Sequence, residues 1–331
     1  MTRPGTRLFT RSDIRRLLDL DTCIAAVEAA FRAHAAGTAI PPGVLGTHVP
    51  GGGFHVKTAG LGGDHPRYAA KINANFPANP ARHGLPTIQG VVALQDAADG
   101  RLLALMDSGE LTALRTAAAT AVAAKYLARS DSATVAIIGC GLQGLYQLRA
   151  LRRVLPLRRV LAWDDDRDAA RAYAAEVGAG RDIVVVPAAD HRSAARGADV
   201  IVTCTPSRTP VLSRADVEGG TFVAGVGADS EDKSELAPDL LAASTVVTDL
   251  LDQCARIGDL HHALAAGAMR IEDVHAELAE VVSGRRAGRT RADEVTVFDS
   301  TGTALEDVAA AVAVYERGLA EGAGLEVRLG D

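Results

Sequence analysis

Short apolar runs alternate with segments of helical period along the second half of this chain. Runs at 134–138, 159–163, 183–186, 200–203, 222–224 and 245–248 are rich in Val, Ile and Ala and predict strands. Leu145, Leu148, Leu151 and Leu155 repeat at helical spacing over 142–155, and further helices are expected over 169–177 and just before Gly197. Strands alternating with helices predict a parallel, doubly wound sheet of Rossmann type. One more strand is expected at 294–298. A final amphipathic helix is expected over 301–319, with Leu305, Val308, Val312, Tyr315 and Leu319 on one face.

The first half has a different pattern. Ser12 and Asp21 are the expected N-caps of two early helices, the second running over 22–36 to Gly37. Short β-rich runs follow at 53–58, 68–72, 87–94 and 102–106, separated by Gly, Pro and Asn clusters, which predicts an antiparallel or mixed sheet. Asp107-Ser108 then opens an Ala-rich helix over 109–128. A length of 331 residues suits two domains. The expected division is a discontinuous α+β domain, 1–128 with 304–331, and a Rossmann domain, 129–303.

Composition narrows the class. The chain is 48% hydrophobic and 23% charged with a net charge of −6, as in a soluble globular enzyme, and no basic stripe points to nucleic acid. Arg3, Arg7, Arg11, Arg15 and Arg16 resemble a transit peptide only superficially. Asp13, Asp19 and Asp21 interrupt them and no apolar h-region follows, so this stretch is read as the first folded element. The Ala-rich helix contains Arg115 and Lys125 and is too polar and short to span a bilayer, so no membrane partner is expected. Cys23, Cys140, Cys204 and Cys254 show no C-x-x-C spacing, which argues against structural zinc or a disulfide framework and suits a cytoplasmic location.

The most specific local motif is Gly139-Cys140-Gly141-Leu142-Gln143-Gly144, set between a strand and a helix. In that context G-x-G-x-x-G predicts dinucleotide binding. Gly139 permits the tight turn, Gly141 lets backbone approach a pyrophosphate, and Gly144 lets helix and strand pack closely. The helix N-terminus, with Leu142 and Gln143, offers free N–H groups and a positive dipole end to the phosphates. Such a site also needs an acid after the second strand for the adenosine ribose, and Asp164 stands twenty residues beyond Gly144. A carboxylate repels a 2′-phosphate, so NAD is the expected cofactor; Arg167 leaves NADP as the alternative. Asp166 is read as a helix N-cap.

Four further segments carry a resemblance over nearly the whole chain. They are 70–79 (AKINANFPAN), 111–119 (LTALRTAAA), Gly227-Ala228-Asp229 with Lys233 and Glu235-Leu236, and 298–302 (FDSTG). With the glycine turn, they resemble the ornithine cyclodeaminase/mu-crystallin family. The resemblance implies a subunit whose first domain binds substrate and dimerises while the second binds the nicotinamide nucleotide, with substrate in the cleft between them. It also implies roles. Arg115 would hold a substrate carboxylate bidentately, with a helix salt bridge to Glu110 as the ordinary alternative. Thr116 of the same motif is assigned to the cofactor. Lys71 would exchange a proton, its pKa lowered by its surroundings. Asp229, just past a strand end, would activate the amine or water that attacks the imine carbon; its ordinary alternative is an Asx turn or helix cap.

One segment departs from the ornithine-specific pattern. His55 and Lys57 stand where those members carry a Glu and a Met, and a cation cannot replace the carboxylate that receives the distal ammonium. Lys57 resembles instead the G-F-K pattern of iminosuccinate-reductase-like members. His55 and Lys57 are therefore assigned to the substrate. His261-His262 point to different helix faces and are read as packing residues. The leading expectation is an NAD(P)-dependent oxidoreductase that reduces an imine of a 2-oxo acid, or oxidises the matching amino acid. The alternatives are an ornithine or lysine cyclodeaminase using tightly bound NAD, and a mu-crystallin-like binding protein without turnover.

Overall fold

The computed structural model describes residues 5–180 and 182–329, so that Arg3 lies outside the described residues. The chain divides into two compact units, Met1–Arg115 with Thr303–Asp331, and Thr116–Gly302.

The first unit opens with β1 (Thr6–Phe9), α1 (Arg11–Leu17) and α2 (Leu20–Ala35). Both caps fall two residues ahead of the expected Ser12 and Asp21. Thr10 caps α1 because Asp13, three residues on, completes a capping box, and Asp19 caps α2 by accepting from the Thr22 N–H. Then come β2 (Ala39–Val49), β3 (Gly52–Leu61), β4 (Arg67–Asn75), α3 (Asn79–His83), β5 (Ile88–Asp96), β6 (Leu102–Asp107) and α4 (Ser108–Leu127). The pattern of apolar residues missed β2 because Pro41-Pro42-Gly43 reads as a break. The strand tolerates them at the sheet edge, with a register shift between Ile40 and Gly43.

The second unit contains β7 (Thr134–Ile138), α5 (Leu142–Val154), β8 (Arg159–Trp163), α6 (Arg167–Gly178), β9 (Val184–Pro187), α7 (His191–Ala195) and β10 (Val200–Thr203). It continues through β11 (Phe222–Gly225), α8 (Pro238–Ala242), β12 (Thr245–Thr248), α9 (Leu251–Ile257), α10 (Asp259–Ala265), β13 (Ala276–Glu277), α11 (Leu278–Val282) and β14 (Thr296–Asp299). The last two elements, α12 (Ala304–Ala320) and β15 (Leu325–Val327), belong to the first unit again.

Seven strands in the order β15-β1-β6-β5-β4-β3-β2 form the sheet of the first unit. It is mixed: β1 runs parallel to β6 and the other pairs are antiparallel. Helix α12 packs on β3, β4 and β5 and against α2. Its apolar residues are buried almost all round, which is what a helix enclosed in a core requires. Phe31, Leu94, Met106 and Val308 are buried there, each stabilising the fold by about 1.5–3 kcal/mol.

The sheet of the second unit is parallel throughout, in the order β13-β12-β14-β11-β10-β7-β8-β9. Its continuous apolar strands reflect burial on both faces. From β7 the chain moves to β8 and β9 on one side, then crosses back to β10 on the other. The carboxyl ends of β7 and β10 therefore flank a topological switch point, where open α/β sheets bind ligands.

Candidate active site

Strand alternation places His55 and Lys57 on one face of β3, and the antiparallel register sets Lys57 opposite Lys71 and His55 opposite Asn73. Lys71 is 3% exposed and Lys57 9%. Arg115 reaches the same neighbourhood from α4, and α12 brings two carboxylates to it. Lys71 Nζ donates to Asp307 Oδ1 at 2.8 Å and is also 2.8 Å from Oδ2. Arg115 Nη1 donates to Glu306 Oε2 at 2.7 Å, and its Nε lies 2.8 Å from Asp307 Oδ1 without hydrogen-bond alignment. Glu306 Oε1 also accepts the Thr303 N–H in a capping box, so one side chain caps α12 and holds Arg115. Glu110, the partner considered for Arg115 above, bonds Arg15 at 2.8 Å.

Buried cations and carboxylates in this arrangement shift one another's protonation. Burial, then the neighbouring Arg115, pulls the Lys71 ammonium down from its ordinary 10.5 to about 7, against the opposing pull of Asp307. Burial by itself would raise Asp307, but Lys71 and Arg115 outweigh it and hold the carboxyl below the usual range. The net result is an ionised Asp307 beside a lysine that gives up its proton readily. Asn73 Oδ1, on the same sheet face, is buried without a hydrogen-bond partner among the described residues. Glu306 and Asp307 escaped the sequence reading because acids in a first helical turn are the usual complement to the dipole. The signal that singles them out is their setting in a helix apolar almost all round.

In the second unit, the glycine turn has the geometry its sequence requires. Gly139 has φ 107°, and a Cβ there would lie 2.7 Å from the Cys204 carbonyl at the end of β10. A Cβ at Gly144 would lie 2.2 Å from the Gly139 carbonyl, whereas one at Gly141 would meet nothing within 4 Å among the described residues. The open cradle is thus at Gly141, where a pyrophosphate would approach. Leu142 begins α5 and is exposed, and Gln143 Nε2 is buried with no hydrogen-bond partner among the described residues. These residues fit a dinucleotide phosphate.

Asp164 ends up close to the same turn. Its Oδ2 accepts the Cys140 N–H at 2.7 Å and its Oδ1 the Asp166 N–H at 3.0 Å, leaving each oxygen a further lone pair. Burial pushes its carboxyl above the usual range against those two bonds. A groove of about 580 Å³ lies alongside, lined by Trp163, Asp164, Arg167, Pro187 and Asp190. Asp166 caps α6, as expected. Thr116 is 9% exposed on α4.

Asp229 lies in the loop after β11. Its Oδ1 pairs with Lys233 Nζ at 2.6 Å, and its side chain is 41% exposed. His262 Nε2 bonds the Lys233 carbonyl at 2.8 Å and His261 Nδ1 contacts the Ala255 carbonyl, so both histidines brace local backbone. Among the described residues, no cluster of His, Cys, Asp or Glu is arranged to hold a metal ion.

Known proteins share this architecture closely. A solved archaeal alanine dehydrogenase dimer with bound NAD is 38% identical and superposes with a TM-score of 0.93, covering 98% of this chain and 99% of its own. The Δ1-pyrroline-2-carboxylate reductase of Thermococcus litoralis, solved with NADH and L-proline, is 32% identical at TM-score 0.93 over 97% and 100% of the two chains. The iminosuccinate reductase of Paracoccus denitrificans is 38% identical over 281 residues, 84% of this chain and 83% of that protein. The ornithine cyclodeaminase/mu-crystallin family model matches residues 6–322. With fold, glycine turn and sequence in agreement, the chain belongs to the ornithine cyclodeaminase/mu-crystallin family.

Proposed function

We propose that this protein is an NAD-dependent oxidoreductase that reduces the imine of a 2-oxo acid, or oxidises the corresponding amino acid. The observation that carries this reading is the buried Lys71–Arg115 pair, held by Asp307 and Glu306, in a chain whose other unit has a dinucleotide-binding turn. Arg115 anchors the substrate carboxylate, and Lys71 moves a proton to or from the nitrogen being reduced. Asp229 serves as the second acid or base, releasing Lys233 as it does so. Gly141, Gln143 and the start of α5 hold the pyrophosphate, with Asp164 at the ribose. Bound NADH supplies the hydride.

Lys57 and His55 bear on the substrate side chain. Lys57 is buried directly opposite Lys71 and adds a third cation to a cluster whose other two, Lys71 and Arg115, bond Asp307 and Glu306. That favours an uncharged or acidic side chain and disfavours the distal ammonium of ornithine or lysine. We further propose a homodimer, formed through the other face of the sheet. There Leu45, Val56, Ile72 and Val91 lie in one row across four strands, and Leu45, Ile72 and nearby Phe54 are 65%, 45% and 43% exposed. Among the described residues, no helix is long and apolar enough to cross a membrane. Four free cysteines suit a reducing compartment, and we assign the protein to the cytoplasm.

The test is NADH oxidation with a panel: Δ1-pyrroline-2-carboxylate, pyruvate with ammonia, and oxaloacetate with ammonia. Turnover of at least one is expected, with the matching amino acid as product. Conversion of ornithine or lysine to a cyclic amino acid with no net NADH change would establish the cyclodeaminase instead. In Asp229→Asn, kcat should fall about 10²- to 10⁴-fold while NADH still binds. Binding of nucleotide with no turnover anywhere in the panel would leave a binding protein.

A further inference from the structure

The second unit contains a line of buried carboxylates that the reaction outlined above does not use. Glu235, Asp259 and Asp299 are all fully buried. Gly227 N donates to Glu235 Oε2 at 2.6 Å, Glu235 N to Asp259 Oδ1 at 2.8 Å, and Asp259 N to Asp299 Oδ1 at 3.3 Å. Each acid thus holds the backbone from which the previous one projects, and the line ends at Gly227.

Gly227 and Glu235 bound the loop that carries Asp229 and its partner Lys233, so the Glu235 carboxylate closes that loop on itself. It also ties the loop to the end of β10, accepting from Thr203 Oγ1 at 2.9 Å, Thr205 N at 2.6 Å and Thr205 Oγ1 at 2.7 Å. A Cβ on Gly227 would come within 2.3 Å of the Thr205 carbonyl and 2.6 Å of the Glu235 carboxyl carbon, so the close approach depends on glycine there. Ser234 N adds a bond to the Ser207 carbonyl at 3.0 Å.

We infer that Glu235 is a positioning residue for the reaction: its carboxylate staples loop 227–235 to the end of β10 and so sets where Asp229 stands. This rests on the reading of Asp229 as the catalytic carboxylate. Burying a carboxylate is costly, and apolar packing would hold a loop at lower cost. A carboxylate accepting four directed bonds gives something packing does not, a single placement of both loop ends. The titratable groups facing it are Asp259 from α10, with Asp299 behind, and Cys204 from the end of β10. Burial and then Asp259 push Glu235 up to about 7. A proton taken up on Oε2 opposes the Gly227 N–H, and one on Oε1 opposes the Thr205 N–H, so either placement loosens the staple.

The test compares Glu235→Gln, Thr203→Val and Asp229→Asn with the parent in three measurements. These are amide exchange over 227–233, NADH affinity by fluorescence, and kcat against pH with NADH and the panel compound turned over fastest. Glu235→Gln should speed exchange in the loop and leave NADH affinity unchanged. It should lower kcat about 10- to 100-fold and remove the acid limb of the pH profile that Glu235 contributes. Thr203→Val, which deletes one of the four bonds, should act in the same direction more weakly, and it decides the matter where Glu235→Gln does not fold. Parent-like exchange, kcat and pH profile in these variants would overturn the inference while a loss in Asp229→Asn left the proposed function standing. Full activity in Asp229→Asn would remove the catalytic reading of Asp229, and the positioning role with it.

Discussion

Lys71 and Asp307 lie 236 positions apart in the chain and 2.8 Å apart in the fold, both almost fully buried. Asp307 is also 2.8 Å from Arg115 Nε, so one carboxylate from α12 faces two cations that come from β4 and α4. Removing it takes away the carboxylate that Lys71 donates to, while Arg115 keeps its bond to Glu306. Asp307→Asn, which keeps the shape and deletes the charge, should destabilise the protein by about 3–5 kcal/mol. Thermal and denaturant unfolding check this, and an unchanged midpoint would mean that the cluster contributes no stability.

The lowered Lys71 pKa has consequences for both rate and stability. As a proton donor with a pKa of about 7, Lys71 should give imine reduction that declines as pH rises through neutrality, and amino-acid oxidation that increases. Initial rates in both directions across pH 6 to 9 (roughly the window around that value) test it. For stability, the unfolded lysine titrates at the ordinary 10.5, so between about 7 and 10.5 the unfolded chain binds more protons than the folded one. Raising pH through that window therefore increases the Lys71 contribution to stability, and the penalty is full below it. Lys71→Met should abolish this pH-dependent gain.

Arg115 pairs with Glu306 through Nη1 and approaches Asp307 through Nε, an arrangement that depends on the planar guanidinium. Arg115→Lys keeps the charge and loses the fork. The expected result is a kcat/KM for the carboxylate substrate lowered about 10- to 100-fold, the loss of a charged hydrogen bond worth about 1.5–3 kcal/mol. The KM for NADH should not move. Equal losses for both ligands would argue for general damage to the fold.

Two glycines of the turn should respond in opposite ways. Gly141 has room for a Cβ in the free protein, so Gly141→Ala should fold with a parent-like melting temperature and bind NADH more weakly. Gly144 has none, its Cβ falling 2.2 Å from the Gly139 carbonyl, so Gly144→Ala should unfold at lower temperature. Melting curves with and without NADH separate the two. An equal loss of NADH-induced stabilisation with no difference in the apo melting temperature would contradict the geometry.

The sequence by itself determined what is local. Short continuous apolar runs and leucines at helical spacing predicted the parallel sheet and its helices, because a strand buried on both faces is apolar throughout and burial on a helix repeats at the helical period. The glycine turn was legible because Gly139 answers a local positive φ and Gly144 the carbonyl of Gly139, while Gly141 leaves space for a phosphate. Lys57, Lys71, Arg115 and Asp229 are candidates through segment resemblance. β2 was lost at Pro41-Pro42, where only its place at the sheet edge makes the prolines acceptable.

What the tertiary structure decided is which charges meet. Nothing near Lys71 in sequence points to Asp307, and Glu306 looks like a routine helix cap until α12 lies against β3 and β4. Nor does the motif around Asp229 show that Glu235 closes its loop or that Asp259 and Asp299 stand behind it. A buried ion pair or hydrogen-bonded acid depends on distance in space and on exclusion of water. Both come into being only when elements far apart in the chain pack together.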